Sequence, residues 1–179
     1  MAVLPIVRLG HPVLREVAQP LDPRVIASKD LQAFLDDLFE TMVAARGVGL
    51  AAPQVGAGVR IFVYGAAKAE IAERVVINPR ITFEDGELAS DWEGCLSIPG
   101  LRGLVPRHER LRLSALGRDG RPYELVAEGF EARIIQHELD HLDGIVFLDR
   151  MRDLRSLAFN DEQGQAQGNE PEPDDDSVA

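Results

Sequence analysis

From residue 28 onward the apolar side chains fall at Leu31, Phe34, Leu35, Leu38, Phe39, Met42 and Val43, the spacing of one face of an α-helix. Ser28 stands where a side-chain oxygen can cap the start, and Gly47 where glycine commonly ends a helix, so a helix is expected between them. The stretch GVGLAAPQVGAG that follows has no such period and reads as a flexible connection. Short β-branched runs at 59–64 and 75–78 read as strands. Between 110 and 127, Leu111, Leu113 and Ala115 alternate with polar neighbours, Asp119-Gly120 supplies a turn, and Tyr123, Leu125 and Ala127 alternate again, which predicts a hairpin with one buried face. A second helix is expected over 129–143, stopped by Gly144. Phe130, Ile134, His137 and His141 lie on one of its faces and Ile135, Leu139 and Leu142 on another, so it should be central. Strands divided by two substantial helices indicate an α+β fold.

Composition narrows the class. The chain has 179 residues, 45% of them hydrophobic, which is enough for one domain with a real core. No stretch approaches the roughly 18 uninterrupted apolar residues of a membrane span, and MAVLPIVRLG lacks the basic-then-apolar order of a signal segment. A cytoplasmic protein without a membrane partner is expected. Cys95 is the sole cysteine, which excludes an intramolecular disulfide and any four-cysteine zinc module. The formal charge is −11, but every residue after Arg155 is neutral or acidic. The last 20 residues carry Val178 as their only large apolar side chain and cannot repay the entropy of ordering. The expected division is a single catalytic domain over 1–158 and an acidic, disordered tail over 159–179, a charge balance that argues against direct nucleic-acid binding.

The strongest chemical signal is His137-Glu138-Leu139-Asp140-His141. On a helix, residues four apart lie about 40° apart around the axis, so both imidazoles reach one metal ion while Glu138, about 100° from His137, reaches a water on it. A solvated, charged helix is the bland alternative, and Phe130 and Ile134 on the same face speak against it. A catalytic divalent site usually offers three protein ligands. No histidine follows His141 and Glu162 falls near the tail, which leaves Cys95 as the attractive third ligand, although a lone cysteine is more often a buried hydrophobe. Gly94 before it would let backbone pass close to a metal. GVGLAA imitates a dinucleotide fingerprint but follows a helix, so that reading lacks its required strand. Its small residues would instead let backbone approach a substrate, with Gln54 presenting an amide to a polarised oxygen.

Together, GVGLAAPQ (47–54), EGCLSIP (93–99) and QHELDH (136–141) resemble the three signature motifs of peptide deformylases, in order and separation. The resemblance covers about residues 5–155. It implies antiparallel strands packed around a central helix carrying the H-E-x-x-H motif, and removal of the N-formyl group, as formate, from the starting methionine of newly made polypeptides. It further implies Cys95, His137 and His141 as metal ligands, Glu138 as the acid/base, and Gln54 with the Leu96 backbone N–H as holders of the carbonyl oxygen. The implied cofactor is one divalent ion, Fe²⁺ in the cell, with Zn²⁺, Ni²⁺ or Co²⁺ taking its place in purified protein. Val48, Phe130 and Ile134 are expected to line an apolar pocket for the methionine side chain, with Gly49 beside the substrate and Arg102 at a basic position near the groove. Arg133 stands where an apolar pocket residue is expected, and is read as bounding the rim or snorkelling to water. Expected partners are nascent formyl-Met peptides, with transient ribosome proximity. The competing readings are a general H-E-x-x-H metallopeptidase and a catalytically silent binder of N-terminal methionine.

Overall fold

The computed structural model describes residues 2–83, 86 and 88–162. The first helix, α1 (Lys29–Ala44), starts where the pattern places it, with the Ser28 hydroxyl accepting from the Leu31 N–H at 3.3 Å. It ends before Gly47. Arg46 takes the left-handed φ of 57°, its N–H donates to the Val43 carbonyl at 3.0 Å, and the Gly47 N–H donates to the Met42 carbonyl at 2.9 Å. This is the paired-bond ending usually built on glycine, here built on arginine.

Eight strands follow in chain order: β1 (Gly49–Ala51), β2 (Ile61–Ala66), β3 (Ile71–Phe83), β4 (Leu88–Cys95), β5 (Ile98–His108), β6 (Arg110–Leu116), β7 (Pro122–Glu128) and β8 (Ala158–Phe159). They form an antiparallel five-stranded sheet ordered β1-β2-β3-β6-β7 and a three-stranded sheet ordered β4-β5-β8. Two further helices are α2 (Gly129–Leu142) and α3 (Phe147–Arg150).

The expected flexible connection after α1 is instead a buried edge strand. Leu50, Ala51 and Ala52 are fully buried, and β1 pairs with β2 from Gly49 opposite Tyr64 to Ala51 opposite Phe62. Small side chains serve there because helix packs close on either side of the sheet. Alternation along β2 shows the two layers: Phe62 and Tyr64 pack with Ile134, Ile135 and Leu142 of α2, while Ile61 and Val63 pack with Leu35, Leu38 and Met42 of α1. The hairpin forms as patterned, with Leu111 opposite Ala127 and Ala115 opposite Tyr123.

The run at 75–78 is the middle of a longer strand that changes partners, pairing with β2 up to Ile77 and with β6 at Ile77 and again from Arg80 onward. Asn78 has a φ of 51° at the break, and its amide exchanges two 2.8 Å hydrogen bonds with the Leu21 backbone.

The β4-β5 hairpin has no counterpart in the sequence reading. Its turn is Leu96-Ser97, with Cys95 opposite Ile98. The N-terminal segment ties this turn to the one after β1: the Val7 N–H donates to the Gln54 carbonyl at 2.9 Å and the Leu9 N–H to the Ser97 carbonyl at 2.8 Å. Phe159 pairs with Leu101, so β8 crosses the boundary expected at 158/159; the remainder of the expected tail, 163–179, lies outside the described residues. No described helix is long and apolar enough to cross a membrane.

Candidate metal centre

Helix α2 is buried on most of its circumference, and its buried set includes the polar residues Arg133, Gln136, Glu138, Asp140 and His141. Such groups survive burial only when paired or when they hold a ligand. His137 and His141, one turn apart, present their rings edge to face at a centroid separation of 5.1 Å. Cys95, from the end of β4, points its sulfur at them, with Sγ 3.3 Å from Nε2 of His141. One donor atom from each of Cys95, His137 and His141 lies within 4.8 Å of the others.

A tetrahedral ion bound to nitrogen and sulfur at the usual lengths needs donors roughly 3.3–3.6 Å apart, and the Cys95–His141 pair already meets that. Nδ1 of His137 is engaged by Glu93, which leaves Nε2 for a metal. Oε2 of Glu138 is buried with no hydrogen-bond partner, an orphaned acceptor that an ion and its water would satisfy. The donor set therefore fits a divalent transition metal.

Electrostatics separate the two imidazoles. Burial opposes charging either ring; at His137 the contacts with Cys95 and Glu93 outweigh it and raise the pKa, whereas at His141 burial and the positive fields of His137 and Arg107 push the pKa well down. Burial also raises the Glu138 carboxyl to about 7, against the lowering field of His137. For Glu93, burial is again the largest influence and pushes up, but the hydrogen bonds from His137 and Arg107 together prevail and hold it at about 2.

Glu93 is the functional residue that sequence reasoning missed. It accepts from Arg107 at 2.9 and 3.0 Å, from Arg133 at 2.9 Å, and meets Nδ1 of His137 at 2.8 Å. Arg107 reaches on to Asp140 of α2 at 2.5 Å, and Arg150 of α3 closes the chain on the other oxygen of Asp140 at 2.7 Å. The buried carboxylates of Glu93 and Asp140 and the buried guanidiniums of Arg107 and Arg133 thus neutralise one another, with the half-exposed Arg150 at the outer end. Arg133, expected at the rim or in water, is 6% exposed and also donates to the Val105 and Ala89 carbonyls. A signal was present: Glu93 lies two positions before Cys95, and metal-binding histidines habitually donate to a carboxylate.

Gln54 is 1% exposed, and its orientation is fixed because Oε1 accepts the Ala51 N–H at 2.8 Å. Its Nε2 end therefore faces Cys95 Sγ at 3.6 Å and Ser97 Oγ at 3.3 Å. Within the protein, the tight backbone approach is at Gly49 rather than at Gly94. A Cβ on Gly94 would touch Arg102 and the Leu101 carbonyl at an ordinary 3.5 Å, whereas one on Gly49 would sit 2.3 Å from Oε1 of Glu138.

A cavity of about 680 Å³ opens over these groups. Cys95, His137, Glu138, Gln54 and Leu96 all border it, and His141, 1% exposed, lies behind. Val48, Gly49, Ile134, Phe130 and Arg102 line it as well. Ile134 is buried, while Val48 and Phe130 are partly open to solvent, so they stand nearer the mouth. Asn160, just past β8, completes the wall.

The sequence profile of the polypeptide deformylase family matches residues 3–156. The chain belongs to that family. It is 41% identical over 163 residues to "Peptide deformylase 2" of Bordetella bronchiseptica, covering 87% of this chain and 92% of that protein. A crystal structure of a class I type b peptide deformylase from Acinetobacter baumannii with Met-Ala-Ser bound superposes with a TM-score of 0.79 at 36% identity, covering 84% of this chain and 99% of that one. A peptide deformylase structure from Legionella pneumophila gives 0.79 at 35% identity over 93% of this chain and 92% of that one. Family membership accounts for the α+β architecture and for a metal-dependent hydrolase activity.

Proposed function

We infer that this protein removes the N-formyl group from the starting methionine of newly made polypeptides, releasing formate, with one divalent metal held by Cys95, His137 and His141. The observation that carries the assignment of residues is the meeting of those three donors beside a buried, unpartnered Glu138 oxygen at the base of an open cavity. A metal held there supplies Lewis acidity and lowers the pKa of water from 15.7 toward about 7.

The protein's own groups do the rest. Glu138 takes a proton from the attacking water and delivers it to the departing methionine nitrogen, a transfer suited to a carboxyl whose pKa burial has raised to about 7. Gln54 Nε2 and the Leu96 N–H donate to the formyl oxygen as its negative charge grows. The rigid tether of Gln54 Oε1 means the donor needs no reorganisation at that moment. Ile134, Phe130 and Val48 receive the methionine side chain, Gly49 lets the peptide backbone pass, and Arg102 faces the groove.

Thiolate and imidazole donors suit iron and zinc alike. Ferrous iron is our assignment in the cell, with Zn²⁺, Ni²⁺ or Co²⁺ in purified protein. Nascent formyl-Met chains reach the cavity in the cytoplasm by transient proximity to the ribosome, without direct nucleic-acid binding, because an acidic chain has little attraction for phosphate. The test is a formate-release assay on formyl-Met-Ala-Ser with anaerobically purified protein and metal content measured on the same sample. Stoichiometric metal with formate release and intact internal peptide bonds is expected. Cleavage of internal bonds would favour a general metallopeptidase, and binding without formate would favour a silent relative.

A further inference from the structure

Arg46 occupies a backbone conformation that disfavours any residue with a Cβ, with a φ of 57° at the end of α1. The glycine beside it serves another need, since a Cβ on Gly47 would lie 2.8 Å from Leu96 Cδ1. The left-handed position thus carries a long cation where glycine would fit without strain. The Arg46 side chain is exposed and borders the catalytic cavity, two residues before Val48, and no described carboxylate pairs with it. The carboxylates in that lining, Glu93 and Glu138, are buried, and Glu93 is already matched by Arg107 and Arg133.

We propose that Arg46 is a specificity-determining residue that favours peptides with an acidic side chain at the second or third residue, after the formyl-methionine. The proposal rests on the deformylase reading. With the formyl end at the metal donors and the methionine side chain against Ile134, the following residues must leave through the mouth that Arg46 borders. A guanidinium there can take a carboxylate through two parallel hydrogen bonds. The chain as a whole is acidic, at −11, and would repel such peptides at long range. At physiological ionic strength the screening length is about 8 Å, so distant carboxylates fade and the nearby guanidinium decides. For a pair partly open to water the preference is modest, about 3- to 5-fold over an isosteric neutral residue.

The test compares kcat/KM of the full, metal-loaded protein for formyl-Met-Asp-Ser against formyl-Met-Asn-Ser, and for formyl-Met-Ala-Asp against formyl-Met-Ala-Asn, at 0.15 M salt. An Asp/Asn ratio of about 3 to 5 at one of the two positions, carried by KM, is expected for the wild type. The ratio should fall to about 1 in Arg46→Gly and below 1 in Arg46→Glu. The thermal midpoint of Arg46→Gly should be no lower than that of the wild type, because glycine suits the backbone. A wild-type ratio of 1 at both positions, or an undiminished ratio in Arg46→Gly, would overturn the proposal. Calorimetric binding of the unformylated peptides Met-Asp-Ser, Met-Asn-Ser, Met-Ala-Asp and Met-Ala-Asn reads the same preference without turnover. Failure to release formate from any peptide would therefore sink the deformylase reading while the affinity ratio still decided the role of Arg46.

Discussion

Nδ1 of His137 lies 2.8 Å from Oε2 of Glu93, and this contact ties α2 to β4 at the place where the metal donors meet. It sets which ring nitrogen carries the proton and leaves the other for the metal. Glu93→Gln should weaken affinity for Zn²⁺ by about 10- to 100-fold in a chelator competition. It should also lower unfolding free energy by about 3–5 kcal/mol, since Arg107 and Arg133 would lose the carboxylate that neutralises them. Unaltered zinc affinity would show that the contact does not orient His137.

Glu138→Gln should retain the metal and lose about 10²–10⁴ in kcat for formate release. A metal-replete variant with normal turnover would remove Glu138 from the chemistry. In metal-free protein the same residue governs a pH effect. Its folded pKa of about 7 stands above the ordinary 4.5, raised by burial, so the cost of charging it is absent below about pH 4.5, grows as pH rises to about 7 and is constant above that. Relative to Glu138→Gln, the metal-free wild type should lose stability between pH 5 and pH 8, by at most about 3 kcal/mol in urea titrations.

Gly49→Ala would place a methyl group 2.3 Å from Oε1 of Glu138 and under 3 Å from the carbons behind it. The carboxylate has to move, and a displacement near 1 Å is enough to cost about 10² in kcat. Metal content should be unchanged. A variant with wild-type kcat would mean that Glu138 reaches its working position by another route.

Chelation should abolish formate release, and Fe²⁺, Ni²⁺, Co²⁺ or Zn²⁺ should restore it to different degrees. With iron bound, activity should decay in air through oxidation of the metal or of Cys95, and a reductant or nickel substitution should prevent the decay. Air-stable activity of an iron-loaded sample, with iron confirmed by elemental analysis, would contradict this.

The residues that declared themselves in the sequence are those whose spacing is imposed by a local period. The α1 stripe, the 110–127 hairpin and the His137–His141 pair are all of this kind, since helix and strand geometry set the interval. The β4-β5 hairpin was illegible because Pro99, Gly100, Gly103 and Pro106 interrupt β5, while most of β4 is solvent-facing and lacks an apolar alternation. The buried edge strand β1 was hidden for a different reason: both its faces are covered, so no period of two survives in Gly49-Leu50-Ala51. Arg133 misled because charge predicts exposure, and only the tertiary arrangement shows Glu93 waiting for it. The burial of β1 and the pairing of Arg133 with Glu93 are long-range facts that no window of a dozen residues contains.

The backbone hydrogen bonds from Val7 to Gln54 and from Leu9 to Ser97 make the segment around residues 7–9 a brace across two turns beside the cavity. Val7→Pro or Leu9→Pro would remove one of those N–H donors and leave the turn it holds untied on that side. A loss of turnover in such a variant would measure how firmly the cavity's turns have to be held, with every residue bordering the cavity left unchanged.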